Sequence, residues 1–429
     1  MIYNVTDFGA RSGSGLCTRE IQAAIDACYL AGGGEVAVPR GKFTVAGLRL
    51  RSGVTLHLLE GAELIGSRDP EDYFLYLDDK IEPITEDERE HISPTVLESN
   101  CQSVKPYSRW NNAIIRALHA KNIAIIGECD SKIDGRDCYD AIGEEGYRGP
   151  HPINMWYCEN ILLSGYTVAH GGNWGHAIQN SKNIEMRGVT VLGGHDGFDV
   201  RTCDNILVED CVFETGDDCI AGFDNIGVTV RRCTLNSACS LFRFGGTDVL
   251  IEDCHGYAPA RYGHRKNLSD EKKREGLPTD ESCRYNCLTV FLYYCDKRAV
   301  MRRTPGNIVV RNSSFSGVDA IFNLPFGHKW SCNMSLDDIR FENCEFASLN
   351  LPINVSAPEG EPLSLTLEGC SISFSDTYGD EPIIRSAGHK EIILKDVKIE
   401  KEKPYIDAAE CAGIEVTGSG TVEIRRPKV

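Results

Sequence analysis

Asn205-Ile206-Leu207-Val208-Glu209-Asp210-Cys211 is the stretch whose reading decides the fold of this 429-residue chain, because the phrase keeps returning. Copies read Asn160-Ile161-Leu162-Leu163-Ser164-Gly165, Asn183-Ile184-Glu185-Met186-Arg187-Gly188, Gly227-Val228-Thr229-Val230-Arg231-Arg232-Cys233 and Asp248-Val249-Leu250-Ile251-Glu252-Asp253-Cys254. Their starts are 23, 22, 22 and 21 residues apart. An earlier copy begins at Asn122, and later ones begin at Asn307, Asp338, Ser364, Glu391 and Gly413, with wider steps where loops intervene.

Within each copy apolar and polar residues alternate, which is the period of a strand with one face turned inward. A step near 22 leaves no room for a strand plus a substantial crossover helix. It suits three short strands joined by turns, which make one coil of a right-handed parallel β-helix. The frame of the competing solenoid, the leucine-rich repeat, is missing. The predicted fold is therefore all-β: a single-stranded right-handed parallel β-helix of about 22 residues per coil, its rungs about 4.8 Å apart. One domain spans 1–429. Residues 1–67 form an N-terminal cap and first strands, 68–111 a surface excursion, and 112–429 the coils, with a loop excursion at 258–282.

An end of such a helix exposes a sheet edge that must be covered. Thr18 to Leu30 supplies the cover: Thr18 is the expected N-cap, Ile21, Ala24, Ile25 and Cys28 form one apolar face, and Ala31-Gly32-Gly33-Gly34 ends the helix. Strands follow at Val36–Val38, Phe43–Leu50 and Val54–Leu58.

Composition excludes several classes. A hydrophobic share of 41% and a mean hydropathy of −0.25 rule out a disordered chain. No apolar run reaches the ~18–20 residues of a membrane span. A net charge of −18 argues against a nucleic-acid backbone as partner, so neither nucleic acid nor membrane is an expected partner. No oligomeric state is specified. The N-terminus has no basic stretch followed by an apolar run, so the sequence as it stands is expected to be cytoplasmic, and secreted if a signal has been removed.

Nineteen cysteines are many for such a chain. Cys211, Cys233, Cys254, Cys344 and Cys370 stand at one position of the phrase, where they are expected to stack inward as small apolar fillers. Adjacent rungs are near enough for disulfides, but the missing signal favours reduced thiols.

Two segments stand out from the repeat: Gly194-His195-Asp196-Gly197-Phe198-Asp199-Val200 and Thr215-Gly216-Asp217-Asp218-Cys219-Ile220-Ala221. Asp196 and Asp217 are 21 residues apart, one coil, which places Asp196, Asp217 and Asp218 on one face of adjacent rungs. Carboxylates so close cannot all ionise freely, so at least one pKa rises. One protonated and one ionised carboxyl is what glycosidic cleavage requires. The same aspartates could instead satisfy turn N–H groups.

The stretch from Gly127 to Phe223 resembles glycoside hydrolase family 28, the polygalacturonase family. The matching phrases are Ile133-Asp134-Gly135-Arg136, Trp156-Tyr157-Cys158-Glu159-Asn160-Ile161, Trp174, His195-Asp196-Gly197-Phe198-Asp199 and, most specifically, Gly216-Asp217-Asp218-Cys219-Ile220-Ala221. The opening Asn4-Val5-Thr6-Asp7-Phe8-Gly9-Ala10 and the cap helix resemble the family's start, and about half the chain is covered. The resemblance implies an inverting hydrolase of pectin-like galacturonan or rhamnogalacturonan poly- or oligosaccharides. It implies Asp217 as general acid, with Asp196 and Asp218 holding the attacking water. The sequence carries no P-loop, Rossmann fingerprint or His-Glu-x-x-His motif, so no cofactor or metal is expected.

Two departures bear on this. Where the family carries Gly-His-Gly, this chain reads Ala238-Cys239-Ser240, so Cys239 replaces the histidine. The family's Arg-Ile-Lys has no clean counterpart; Arg302 and Arg303 lie in the expected neighbourhood, and Arg243 offers a cation from the preceding coil. His195 is a candidate for tuning Asp196 or binding substrate, against a plain turn role. Trp174 and His176, one coil earlier, are candidates to line a subsite. The basic run Arg261, His264, Arg265, Lys266, Lys272, Lys273 and Arg274 is expected to be a solvated face, with a role as substrate wall left open. Clustered Asp on a β-helix also suits a calcium-dependent polysaccharide lyase, and loss of the histidine and cation pair suits a carbohydrate-binding β-helix with impaired catalysis.

Overall fold

The computed structural model describes residues 1–74, 109–138, 149–264, 283–295, 301–324, 335–357 and 363–426. Most of the expected excursion at 68–111 and residues 265–282 of that at 258–282, including Arg265, Lys266, Lys272, Lys273 and Arg274, lie outside the described residues. No helix among the described residues is long and apolar enough to cross a membrane.

The chain is a right-handed parallel β-helix, and among the described residues it has one α-helix, Thr18–Leu30, near the N-terminus. Each coil contributes three strands. One coil reads His176–Gln179, Lys182–Arg187 and Thr190–Gly193, and the next Phe198–Arg201, Asp204–Glu209 and Val212–Thr215. In the following coil the first two strands run on as one, Ile220–Arg231, so a single large sheet carries both positions and a smaller sheet carries the third.

The register follows the sequence phrase. Ile123, Ile161, Ile184, Ile206, Val228, Val249, Ile308, Ile339, Leu365, Ile392 and Ile414 pair in one column, each the second residue of a copy. All but Ile414 are buried. One coil per phrase is thus the geometric meaning of the 22-residue step. A slip of one residue would turn each apolar column to solvent, so burial holds the register.

The first residue of the phrase has a separate task. Asn122, Asn160, Asn183 and Asn205 have positive φ of 55°, 59°, 56° and 55°, a conformation that Asn tolerates because its side chain can bond locally. Their amides form an external ladder, with Asn160 donating to Asn122 at 2.7 Å, Asn183 to Asn160 at 2.8 Å and Asn205 to Asn183 at 3.1 Å. Asn307 donates to Asp248 in the same way at 2.8 Å.

The thiol ladder forms inside. Cys211, Cys233, Cys254, Cys344 and Cys370 are buried and free, in the turn between the second and third strands of their coils. Each donates to a carbonyl two residues back, at 3.2–3.4 Å. The thiols therefore both fill space and cap turn carbonyls.

The cap helix has the expected bounds, and Ile21, Ala24, Ile25 and Cys28 are fully buried over the first rungs. Its N-cap differs from expectation. Cys17 holds that position without a side-chain bond, because the Thr18 hydroxyl instead accepts from the Ala46 amide at 2.9 Å. The helix ends where Gly32 and Gly33 take positive φ, and a Cβ on Gly33 would lie 2.6 Å from the Gly53 carbonyl oxygen. The strand expected over Phe43–Leu50 is two, Gly41–Val45 and Leu48–Leu50, divided at Gly47 with φ 75°.

Candidate active site

Alternation along the first strand of each coil sends every second side chain out of the barrel. Phe198, Val200, Ile220, Phe242 and Phe244 point into the core. Asp199, Ala221, Arg243 and, one row on, Arg201 and Phe223 occupy the opposite face, with Asp199, Ala221 and Arg243 in direct register. A second apolar cluster of Trp110, Trp174 and Ala177 lies apart from the main core. The two arginines are held by ring faces. Arg201 forms a fork with Asp199, at 2.7 and 3.0 Å, and lies over Trp174 at 4.3 Å and Phe223 at 5.3 Å. Arg243 stacks over Tyr294 at 3.8 Å and reaches Asp218 Oδ2 at 3.4 Å.

At the turns leading into these strands, Asp196, Asp217 and Asp218 bring one oxygen each within 4.8 Å of one another. Asp196 is 2% exposed and Asp218 1%. Burial, followed by the charges of Asp217 and Asp218, pushes the Asp196 carboxyl well above its ordinary value. Burial and then Asp217 push Asp218 up as well, while Arg243, Ser240 and Cys239 pull it back. The Ser240 amide donates to Asp218 Oδ1 at 3.1 Å, whereas Asp196 Oδ1 is buried with no bond among the described residues. Three acidic groups this close titrate as a unit and retain a proton at higher pH than any would alone. The trio could also accept a hard cation, but the adjacent Arg243 charge opposes that.

A loop closes over Asp217. His264 is 6% exposed and places Nε2 3.6 Å from Asp217 Oδ1. Cys239 Sγ completes a group of three with these side chains, all within 4.8 Å. Asn236 anchors the loop, donating to the Tyr257 and Pro259 carbonyls at 2.9 Å and accepting from the Arg261 amide at 2.7 Å. Arg261 pairs with Glu214 at 2.6 Å. The His264 amide donates to the Arg284 carbonyl at 3.0 Å, and Arg284 Nε donates to the Ala238 carbonyl at 3.0 Å. Gly216 permits this seating, since a Cβ there would sit 2.3 Å from the Gly263 carbonyl oxygen.

A sequence-family model described as "Right handed beta helix region" matches residues 100–256. The chain is 26% identical over 241 residues to a probable polygalacturonase of Vitis vinifera, covering 52% of this chain and 45% of that protein. It is 45% identical over 69 residues to the mannuronan C5-epimerase AlgE2 of Azotobacter vinelandii, covering 16% of this chain and 7% of that protein. These matches span less than half of either relative's length. Among solved structures, an exopolygalacturonase from Thermotoga maritima superposes with a TM-score of 0.65 at 16% identity, covering 93% of this chain and 91% of that one. The chain has the polygalacturonase-like β-helix fold.

Within this polygalacturonase-like fold, the expected site residues divide. Asp196, Asp217, Asp218 and Arg243 come together, and His195 is buried beside Asp196. His176 does not line a subsite. It faces the interior of the barrel, where its nitrogens meet the Tyr166 hydroxyl at 3.1 Å and the Gly197 carbonyl at 3.2 Å, and burial pushes it down to about 4. Trp174 is on the outer face, but Arg201 lies over its ring and Trp110 packs edge-on at 4.7 Å, so it braces the arginine. Arg302 is committed to Asp224 and Asp204, both at 2.9 Å, at the corner between strands. Arg303 lies exposed beside it. His264 was expected to be solvated and is instead buried against Asp217, because its loop folds back onto Asn236 and Gly216. Arg201 went unnoticed in the sequence. The two-residue alternation from Asp199 was the signal that could have placed it on the outer face.

Proposed function

We propose that the chain hydrolyses α-glycosidic bonds of pectin-like galacturonan or rhamnogalacturonan poly- or oligosaccharides. The observation that carries the reading is the buried trio Asp196, Asp217 and Asp218 beside Arg243. In the working state the proton resides on Asp217. Burial still raises Asp196 and Asp218, but a neutral Asp217 no longer adds its charge to that effect, and Arg243 with the Ser240 amide favours the ionised form of Asp218. Asp217 then gives its proton to the glycosidic oxygen as the C–O bond breaks with its electron pair passing to that oxygen. A water held by Asp196 and Asp218 attacks the anomeric carbon and yields its proton to one of them. One proton leaves the trio and one enters, and exchange with solvent resets it. The Arg243 guanidinium, over the Tyr294 ring, suits the carboxylate of a uronic acid.

The trio's spacing within 4.8 Å is shorter than the about 6.5–9.5 Å usual between inverting carboxyls. We assign inversion because three carboxylates, not two, share the site, which leaves a pair to hold water while the third protonates. Proton NMR of the first product decides this: the β-anomer is expected, and initial α-anomer overturns inversion. Asp217→Asn should lower reducing-end release from galacturonan or rhamnogalacturonan by about 10²–10⁴-fold with the fold intact. Full activity in that variant would sink the assignment. Chelation should leave turnover unchanged, whereas a lyase would be stopped by it and would yield ultraviolet-absorbing products.

A further inference from the structure

His264 has no place in the repeat. It belongs to the loop running from the strand His255–Tyr257, and the β-helix would close without it. Its surroundings do not explain it as a packing residue. His176, a true core histidine of this chain, has a bond at each ring nitrogen. His264 is also buried, at 6% exposed, yet Nδ1 has no hydrogen-bond partner among the described residues and Nε2 faces Asp217 Oδ1 at 3.6 Å. A buried imidazole without a partner of its own costs free energy, so the contact with Asp217 is the feature that accounts for its placement.

The loop is seated with more bonds than a solvated excursion needs. Asn236 grips it at three backbone atoms, Arg261 pairs with Glu214, and the Gly263 carbonyl presses on Gly216, the residue immediately before Asp217. These anchors come from the rungs that carry the carboxylates. The position of His264 is therefore tied to that of Asp217. On the sheet side of Asp217, Cys239 holds a thiol that burial, Asp218 and Asp217 keep protonated, so it offers no proton exchange of its own.

We propose that His264 is the positioning residue of Asp217: its imidazole, delivered by the loop, orients the Asp217 carboxyl and supports the carboxylate left after proton donation, a task the thiol of Cys239 cannot perform. The inference rests on the hydrolase reading above. It adds that this chain draws its imidazole from a loop and not from the sheet. When Asp217 has given its proton to the leaving oxygen, an N–H of His264 steadies the new carboxylate, and no bond to His264 is formed or broken.

The test uses the full chain with oligomers of de-esterified homogalacturonan and of rhamnogalacturonan, and takes kinetics on whichever of these the parent turns over. His264→Ala should lower kcat by about 10²-fold with KM within about 3-fold, and His264→Gln, which keeps a polar side chain in the loop, should show most of the same loss at an unchanged melting temperature. Adding Cys239→His to His264→Ala places an imidazole on the other side of Asp217 and should recover at least about 10-fold in kcat. A purely packing role would not be rescued from a different strand. Variants whose kcat stays within about 3-fold of the parent, a loss seen in KM alone, or a folded double variant no more active than His264→Ala would overturn the inference. Parent turnover abolished by Asp217→Asn but untouched at His264 removes this inference alone. A parent without turnover removes the hydrolase reading and this inference with it.

Discussion

Arg243 Cζ lies over the Tyr294 ring, 3.8 Å from its centroid, and Nη1 reaches Asp218 Oδ2 at 3.4 Å. The ring and the carboxylate together hold the guanidinium in place. Arg243→Ala leaves the buried Asp218 without its cation. The expected result is a loss of stability of up to about 3–5 kcal/mol and a KM for galacturonate oligomers raised about 10–100-fold. Arg243→Lys should restore part of the stability and little of the KM, because an ammonium neither stacks nor forks. Thermal melts and initial rates on both variants check this, and an unchanged KM in Arg243→Ala would count against a carboxylate-binding role.

Asp196 gives a pH-dependent prediction. Its folded pKa is raised by burial and by Asp217 and Asp218, so the folded state binds its proton more tightly than the unfolded chain does. The penalty is absent below the unfolded value of about 3.9 and grows as pH rises towards the folded value. Asp196→Asn removes it. The variant should melt on the order of 1–3 °C higher than the parent at pH 7, with the gain vanishing near pH 4. A gain that did not vary with pH would contradict an origin in carboxyl burial and repulsion.

Asn183 tests the external ladder. It holds φ at 56°, donates to Asn160 and accepts from Asn205. Asn183→Ala should cost about 2–3 kcal/mol, combining backbone strain with two lost bonds. Asn183→Gly removes the bonds alone and should cost about half as much. Equal losses in the two variants would show that φ contributes nothing.

The thiols should divide by depth. Cys129 is exposed, while Cys211, Cys233 and Cys254 are sealed in the core. A maleimide pulse on the native protein, mapped by mass spectrometry, should label Cys129 within minutes and the three ladder thiols only after denaturation. Prompt labelling of Cys233 would mean that the coils open locally.

The coils were legible because the phrase around Asn205 carries three kinds of information at once. Ile206 and Val208 alternate inward, Asn205 tolerates a left-handed corner, and Cys211 fits the inner turn. Each is a property of one residue and its immediate neighbours, and stacking repeats it. The trio of aspartates was legible for the same reason, since residues one coil apart must be neighbours. Arg243 was a candidate cation only, and its in-register strand sets it beside Asp218. The excess of predicted subsite residues had a physical source too. At His176 the alternation carries the side chain inward, and at Arg302 a buried carboxylate, Asp224, claims the guanidinium first.

The sequence by itself determined the period, the inward and outward faces, the cap helix and the meeting of Asp196, Asp217 and Asp218, because all of these follow from local alternation multiplied by a constant rise. Only the tertiary structure decided that His264 meets Asp217. That contact depends on where a non-repeating segment folds back, as at Asn236 and Gly216. Such a meeting is set by packing and loop closure among residues with no common period, and no step along the chain encodes it.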